Sequence, residues 1–392
     1  MCSIIGFINK HHQADIHIVN SMNAVLKHRG PDDSGTAVLK MFQSVKENVG
    51  LGFNRLSIRD LSNAGHQPMY GTNGDIIIAF NGEIYNADAF RDRLKERGHI
   101  FAGNSDTEVL LYLYEEYGID KMLEMIDGMF AVCIIDKKRD LVYLIRDRIG
   151  EKPLYYYRND DVFMWASEYK AFYENPMFRA RLNTDSLSEY LMFRYVSNGK
   201  TLLRNVRNLR PGTYLKIKKD GFIQKTYWNF PDGFKKDSRN KTEIKKDFEN
   251  NLKKAFRSRM VSDVEIGVQL SGGVDSSTLA AYANRILNHR LKTFGIIFDG
   301  KKYSEKKYME TAAKRCGTDS YLYNFSNSQF LDSWKSTIYY FEAPMNHEGT
   351  LGLFFLNREA SRLVKVMLCG EGADETMGGY QRFYDSIPYQ TL

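Results

Sequence analysis

The first residue of this 392-residue chain able to do chemistry is a cysteine placed directly after the initiator methionine, in MCSIIGF. With the methionine trimmed, as a small second side chain permits, Cys2 carries both a thiol and a free α-amine of pKa about 8, so one residue supplies nucleophile and local base. Far downstream, SGGVDSS (271–277) follows an apolar run and opens a helical pattern, the place where backbone N–H groups and the helix dipole hold phosphate. It is neither a Walker loop, since no GK[ST] follows, nor GxGxxG. Hydroxyls of Ser271, Ser276 and Ser277 can donate to phosphate oxygens, Gly272 and Gly273 let the backbone approach, and Asp275 can ligate Mg²⁺. A Ser-Gly turn capping a helix is the plainer account of the same string. About 100 residues on, CGEGADETMGGY (369–380) places Glu371, Asp374 and Glu375 among four glycines. Carboxylates repel a bare triphosphate, so the two loops make joint sense with Mg²⁺ between them, Asp275 and Asp374 being its ligands.

Residues 1 to about 217 hold short β-type runs: CSIIGFIN (2–9), DIIIAF (75–80), FAVCIID (130–136), LVYLIR (141–146), LYYY (154–157) and TYLKI (213–217). Helical patterns open near Asp88 and Asp106, which suggests sheets covered by helices rather than a βαβ array. The polar stretch 229–243 reads as a linker. Beyond it strand alternates with helix: VEIGVQL (264–270), STLAAYANRIL (277–287), TFGIIF (293–298) and LVKVMLC (363–369) predict a parallel, doubly wound sheet. Ligands of such sheets bind at the carboxyl ends of the strands, where both Gly-rich loops fall.

The length favours two domains. Composition, 43% apolar and 26% charged, is ordinary globular. No apolar run approaches a membrane span and no signal peptide opens the chain, so the cytoplasm is the default expectation and no membrane partner is expected. Cys2, Cys133, Cys316 and Cys369 are too scattered for a disulfide scaffold or zinc site and read as reduced thiols. The net charge of +7 is spread along the chain with acids interleaved, which argues against nucleic acid.

SGGVDSS resembles the pyrophosphate-releasing loop of the ATP pyrophosphatases, and GEGADE the second motif of their asparagine synthetase branch. The N-terminal part resembles class II glutamine amidotransferases through MCSIIGF, KHRGPDDSG (27–35), NRLSIRDL (54–61) with GHQPM (65–69), FNGEIYN (80–86), GNSDTE (103–108) and IDGMFA (126–131). Together they resemble glutamine-hydrolysing asparagine synthetase from residue 2 to about 384. The resemblance implies an αββα N-terminal-nucleophile sandwich of α+β class over 2–217, a linker over 218–243, and an α/β ATP-binding domain over 244–392. It implies Cys2 as nucleophile, Asn81 and Gly82 as oxyanion donors, and glutamine held by Arg55, Leu56, Ser57, Ile58, Glu83 and Asp106. Arg55 would take the substrate carboxylate, Glu83 and Asp106 its ammonium. Asn81-Gly82 is also a strong hairpin-turn signal. ATP would lie along Gln269, Leu270, Ser271, Gly272, Gly273, Asp275 and Ser276, with adenine near Ile296 and the strand end Cys369-Gly370, and Glu371 and Asp374 at the adenylation site. The implied reaction takes ATP, aspartate and glutamine to asparagine, glutamate, AMP and pyrophosphate, with an internal ammonia channel; a homodimer is one option for assembly.

Three departures stand out. Cys369 replaces the family's usual Ser before GEG; Thr376 and Met377 replace apolar or aromatic residues; and the family continues past GGY (378–380) through helices carrying an adenylation lysine. The second domain is therefore expected to be short at its C-terminus, with uncovered apolar surface and no substitute among Lys301, Lys302 and Lys365. Rival readings are a cyclase resembling β-lactam synthetase, which Cys2 argues against, an amidotransferase acting on another carboxylate such as a uronic acid, and a glutaminase or binding protein without synthetase activity.

Overall fold

The computed structural model describes residues 1–44, 46, 48–231, 238–287, 289–298, 304–347 and 349–385, so Lys301 and Lys302 lie outside the described residues. The chain divides into two compact units, Met1–Lys236 and Asp237–Leu392.

The first unit is built on two antiparallel sheets. One orders β10 (Val206–Asn208), β8 (Tyr155–Arg158), β9 (Val162–Ala166), β1 (Ser3–Asn9), β3 (Val49–Arg55) and β2 (Asp33–Leu39). The other orders β12 (Gly221–Thr226), β11 (Thr213–Lys218), β7 (Leu141–Arg146), β6 (Gly128–Asp136), β5 (Ile76–Ile84) and β4 (Met69–Tyr70). Alternation along the strands decides the layers. On β1, Ile4 and Ile8 join Phe53, Ala79, Cys133 and Leu144 between the sheets, while Ile5 and Phe7 turn to α1 (Ile16–Ala24) on the outer face. The second sheet carries α2 (Asp88–Glu96) and α3 (Asp106–Met125) on its other side, through Leu94, Val109, Leu110 and Leu113. The result is helix, sheet, sheet, helix, with the strands carrying the candidate residues buried on both faces.

Two sequence expectations change here. Asn81-Gly82 is no hairpin turn: β5 runs through both residues to Ile84, paired Asn81 to Ala131 and Gly82 to Phe130. Tertiary pairing overrides the local signal, because a side chain on Gly82 would sit 2.1 Å from the Met129 carbonyl oxygen. And β12, paired with β11 in the first unit, occupies part of the 218–243 stretch read as linker. The α4 helix (Thr184–Phe193) completes this unit.

The second unit holds a four-stranded parallel sheet in the order β15 (Asp319–Phe325), β14 (Lys292–Phe298), β13 (Ile266–Gln269), β16 (Val366–Leu368). Its helices are α5 (Lys241–Arg259), α6 (Val274–Ile286), α7 (Lys306–Cys316), α8 (Asn327–Phe341), α9 (Gly349–Ala360), α10 (Ala373–Met377) and α11 (Gln381–Asp385). Successive strands step one way from β13, then β16 returns to its other side, so the order reverses between β13 and β16 and their following loops flank one crevice. The α8 helix shows apolar side chains to solvent at Leu331, Trp334, Ile338 and Phe341. Among the described residues no helix is long and apolar enough to cross a membrane.

Candidate active site

Each unit carries one cluster of chemistry-bearing side chains. In the first, Cys2 sits at the mouth of β1, where the Leu56 N–H donates to its Sγ at 3.4 Å. Burial pushes the thiol pKa up, against the Leu56 N–H, the terminal amine and the Arg55 charge, so the resting group is a thiol that needs a base. A terminal amine at this spot is such a base: burial pulls that of Met1 down to about 6, leaving it neutral at neutral pH.

The structure adds residues the sequence reading missed. Arg29 donates from Nε to the Cys2 carbonyl at 3.0 Å and from Nη1 to Glu168 at 2.7 Å. Glu168 also takes Lys170 and pairs with His28 Nε2 at 3.1 Å. Burial alone would raise the Glu168 pKa, but His28, Arg29 and Lys170 hold it at about 2, a fixed anion that clamps the arginine holding Cys2. The Met1 thioether lies between Arg29 Nη2 at 3.9 Å and Lys152 Nζ at 3.6 Å. Lys152 is placed by Asp147, whose carboxylate accepts from the N–H groups of Phe130, Ile149, Gly150, Glu151 and Lys152. KHRG and WASEYK contain Arg29 and Glu168, yet nothing local says that residues 139 apart will pair.

Across the sandwich, β5 presents two open donors. N–H groups along a strand alternate between its edges. Phe80 N–H donates to Gln67 Oε1 at 2.6 Å and Ile84 N–H to Asp106 Oδ2 at 2.8 Å, so the Gly82 N–H between them faces the same edge, away from β6. The neighbouring Asn81 side chain is 1% exposed, and its Nδ2 is a buried donor with no acceptor among the described residues. A buried unpaired amide costs about 1–3 kcal/mol, which a fold keeps where function uses it. Together they form a donor pair suited to an oxyanion.

Arg55, at the end of β3, gives Nη1 to the Ser62 carbonyl at 2.8 Å and Nη2 to those of Arg59 and Asp60, which leaves Nε and one Nη1 hydrogen for a further acceptor. The Ser57 N–H is held by Asp32 at 2.8 Å, fixing the 56–58 loop against Cys2. Burial first, then the Asp106 charge, pushes Glu83 up to about 7, and burial raises Asp106 against its bond from Ile84. Such a pair is completed by a cation.

In the second unit, the crevice between β13 and β16 is a cleft of about 260 Å³. Gln269, Ser271, Gly273, Asp275 and Ser276 line it from one loop; Cys369, Gly370, Glu371 and Asp374 line it from the other. Gly272 has φ +83°, and a Cβ there would meet Tyr308 at 2.7 Å, so this turn requires glycine. Gly273 caps α6 without a side-chain acceptor, which leaves first-turn N–H groups open to an anion. Ser271 and Ser276 hydroxyls lie 2.9 Å apart. Four carboxylates, Asp275, Glu371, Asp374 and Glu375, face the same space. Among the described residues no group of three or more His, Cys, Asp or Glu is arranged to cage a metal. Open N–H groups and hydroxyls beside carboxylates fit phosphate carried with Mg²⁺, which keeps most of its ligands as water and phosphate. Four residues named above do not line the cleft: Leu270 is core beneath the loop, Gly272 forms its left-handed turn, Ser277 is on α6, and Ile296 packs against Phe325, Leu351 and Phe355.

The glutamine amidotransferase domain model matches residues 1–228, and the asparagine synthase model matches 247–390. Asparagine synthetase [glutamine-hydrolyzing] 1 of Bacillus subtilis is 34% identical over 99% of this chain and 60% of its own length. A putative asparagine synthetase [glutamine-hydrolyzing] 2 of Methanocaldococcus jannaschii is 32% identical over 97% of this chain and 76% of its own. The chain thus spans about three-fifths to three-quarters of these two relatives. A solved glutamine phosphoribosylpyrophosphate amidotransferase from B. subtilis, complexed with ADP and GMP, aligns over 82% of this chain and 65% of its own at 18% identity and TM-score 0.44. At that score it adds nothing to the topology above.

Proposed function

The chain belongs to the glutamine-hydrolysing asparagine synthetase family, and from that premise we propose that it is a glutamine-dependent amidotransferase that converts aspartate to asparagine at the expense of ATP. The observation that carries this reading is the unpartnered Asn81 Nδ2 beside the open Gly82 N–H.

In the first unit, removal of Met1 frees the Cys2 amine and takes away the thioether that Arg29 and Lys152 flank. The thiol proton passes to that amine as Sγ attacks the glutamine side-chain carbonyl. Charge on the carbonyl oxygen goes to Asn81 Nδ2 and Gly82 N–H. The amine then protonates the departing nitrogen, ammonia leaves, and water cleaves the thioester to glutamate. Arg55 takes the substrate α-carboxylate, and Glu83 with Asp106 takes the α-ammonium.

In the second unit, Ser271, Ser276 and the first-turn N–H groups of α6 hold the pyrophosphate portion of ATP, with Gln269, Cys369 and Gly370 along the nucleotide. Asp275 and Asp374 would hold Mg²⁺, which would neutralise phosphate charge. A side-chain oxygen of aspartate attacks the α-phosphorus, the bond to pyrophosphate breaks, and ammonia displaces AMP. Glu371 lines the acceptor side. Ile296 is not carried into this assignment.

The test is paired. Cys2→Ala should abolish glutamine-driven glutamate release while sparing ammonium-driven pyrophosphate release. Asp275→Ala should do the reverse. Joint loss of both activities in either variant contradicts the two-site reading.

A further inference from the structure

A cavity of about 390 Å³ lies in the first unit, apart from the Cys2 cluster. It opens at the other end of β1: Ile8 and Lys10 line it, and the six steps from Cys2 to Ile8 span roughly 20 Å of strand. Its walls are Ile8, Phe42, Phe163, Ile217 and Phe222, and its rim carries Lys10, Arg158, Lys218 and Lys219 with His11 beside them. Two carboxylates, Asp160 and Asp220, stand on the same rim, so the four cations outnumber them.

Three features separate this cavity from an ordinary sandwich mouth. Its walls are aromatic and ordered: the Phe163 and Phe222 rings meet edge to face at 5.5 Å, and the Phe42 side chain is buried although its backbone is left-handed at φ 58°. Its cations are unspent: Lys10, Lys218 and Lys219 make no ion pair among the described residues, and Arg158 rests only over the Phe222 ring, 5.6 Å from its centre. Its size falls within the range of small-molecule sites, which join apolar walls to a few convergent polar groups. Cations ringing an apolar floor favour a molecule with a negatively charged head and a flat apolar body: the body gains contact with the rings, and the head meets several donors at once.

We propose that this cavity is a second binding site, separate from the Cys2 cluster, for a small organic anion with a flat apolar body. The site uses none of the residues assigned to glutamine or ATP.

The probe is 8-anilinonaphthalene-1-sulfonate, titrated by fluorescence into the full chain, with its uncharged relative N-phenyl-1-naphthylamine in parallel. The expected result is one saturable sulfonate site, bound at least tenfold more weakly by Arg158→Glu/Lys218→Glu and by Lys10→Glu/Lys219→Glu, and unchanged by saturating glutamine. The uncharged relative should bind at least tenfold more weakly than the sulfonate. Glutamate release at the wild-type rate in both variants verifies that they fold. Saturable binding that ignores both charge reversals, equal binding of the uncharged relative, displacement by glutamine, or no saturable binding would each overturn the proposal.

Discussion

At the residue scale, the candidate chemistry rests on groups the fold leaves uncomfortable. Glu83 is one: burial and then Asp106 lift its pKa to about 7, so a substrate ammonium must meet it as a carboxylate. Glutamine KM should therefore fall about tenfold between pH 6 and pH 8, and Glu83→Gln should flatten that slope. The same shift has a stability sign. A carboxyl raised in the folded state stabilises fully below its ordinary 4.5, and that contribution is lost as pH rises through about 7, so the wild type should lose more unfolding free energy over that window than Glu83→Gln. Glu168 works the other way, as a permanent anion behind Arg29. Replacing it with Gln should lower kcat while leaving glutamine KM nearly unchanged, since it touches Cys2 only through Arg29. Cys2, Asn81, Gly82 and Asp106 are candidates that the sequence itself offers, because each sits in a short motif. Arg29 and Glu168 are not, because a buried pair is made by chain segments far apart.

At the element scale, strands with continuous apolar runs, β1, β5, β6 and β7, were legible. The neighbours β2 and β3 were not, and β3 shows why. Its VGLGFNR spends two positions on glycine because a Cβ at Gly50 would lie 2.5 Å from Val19 and one at Gly52 would lie 2.9 Å from Ile5. Those glycines erase the apolar signal and serve the packing. Gly82 is the same case with a functional edge. Gly82→Ala should separate β5 from β6 at Met129, cost about 1–3 kcal/mol in chemical denaturation, and cut glutaminase activity through the displaced N–H. Unchanged stability would show that the strand pair tolerates the methyl group.

At the scale of the whole molecule, the two units carry two candidate sites on two different scaffolds, an antiparallel sandwich and a parallel sheet with a switch point. The change of rhythm near residue 240, from clustered strands to strand alternating with helix, announced that division in the sequence. The position of Ile296 was not announced: it sits in an apolar run, FGIIF (294–298), and only packing against α9 shows which way the side chain turns. In the proposed reaction the buried Asn81 amide, without an acceptor among the described residues, and the Gly82 N–H stabilise the oxyanion formed when Cys2 attacks glutamine. The measurement that tests it most directly is steady-state glutamate release from glutamine by the wild type and Asn81→Ala, with Cys2→Ala as the blank. The expected result for Asn81→Ala is a loss of about 10²–10³ in kcat with KM little changed. A variant that turns over glutamine at the wild-type rate would contradict it.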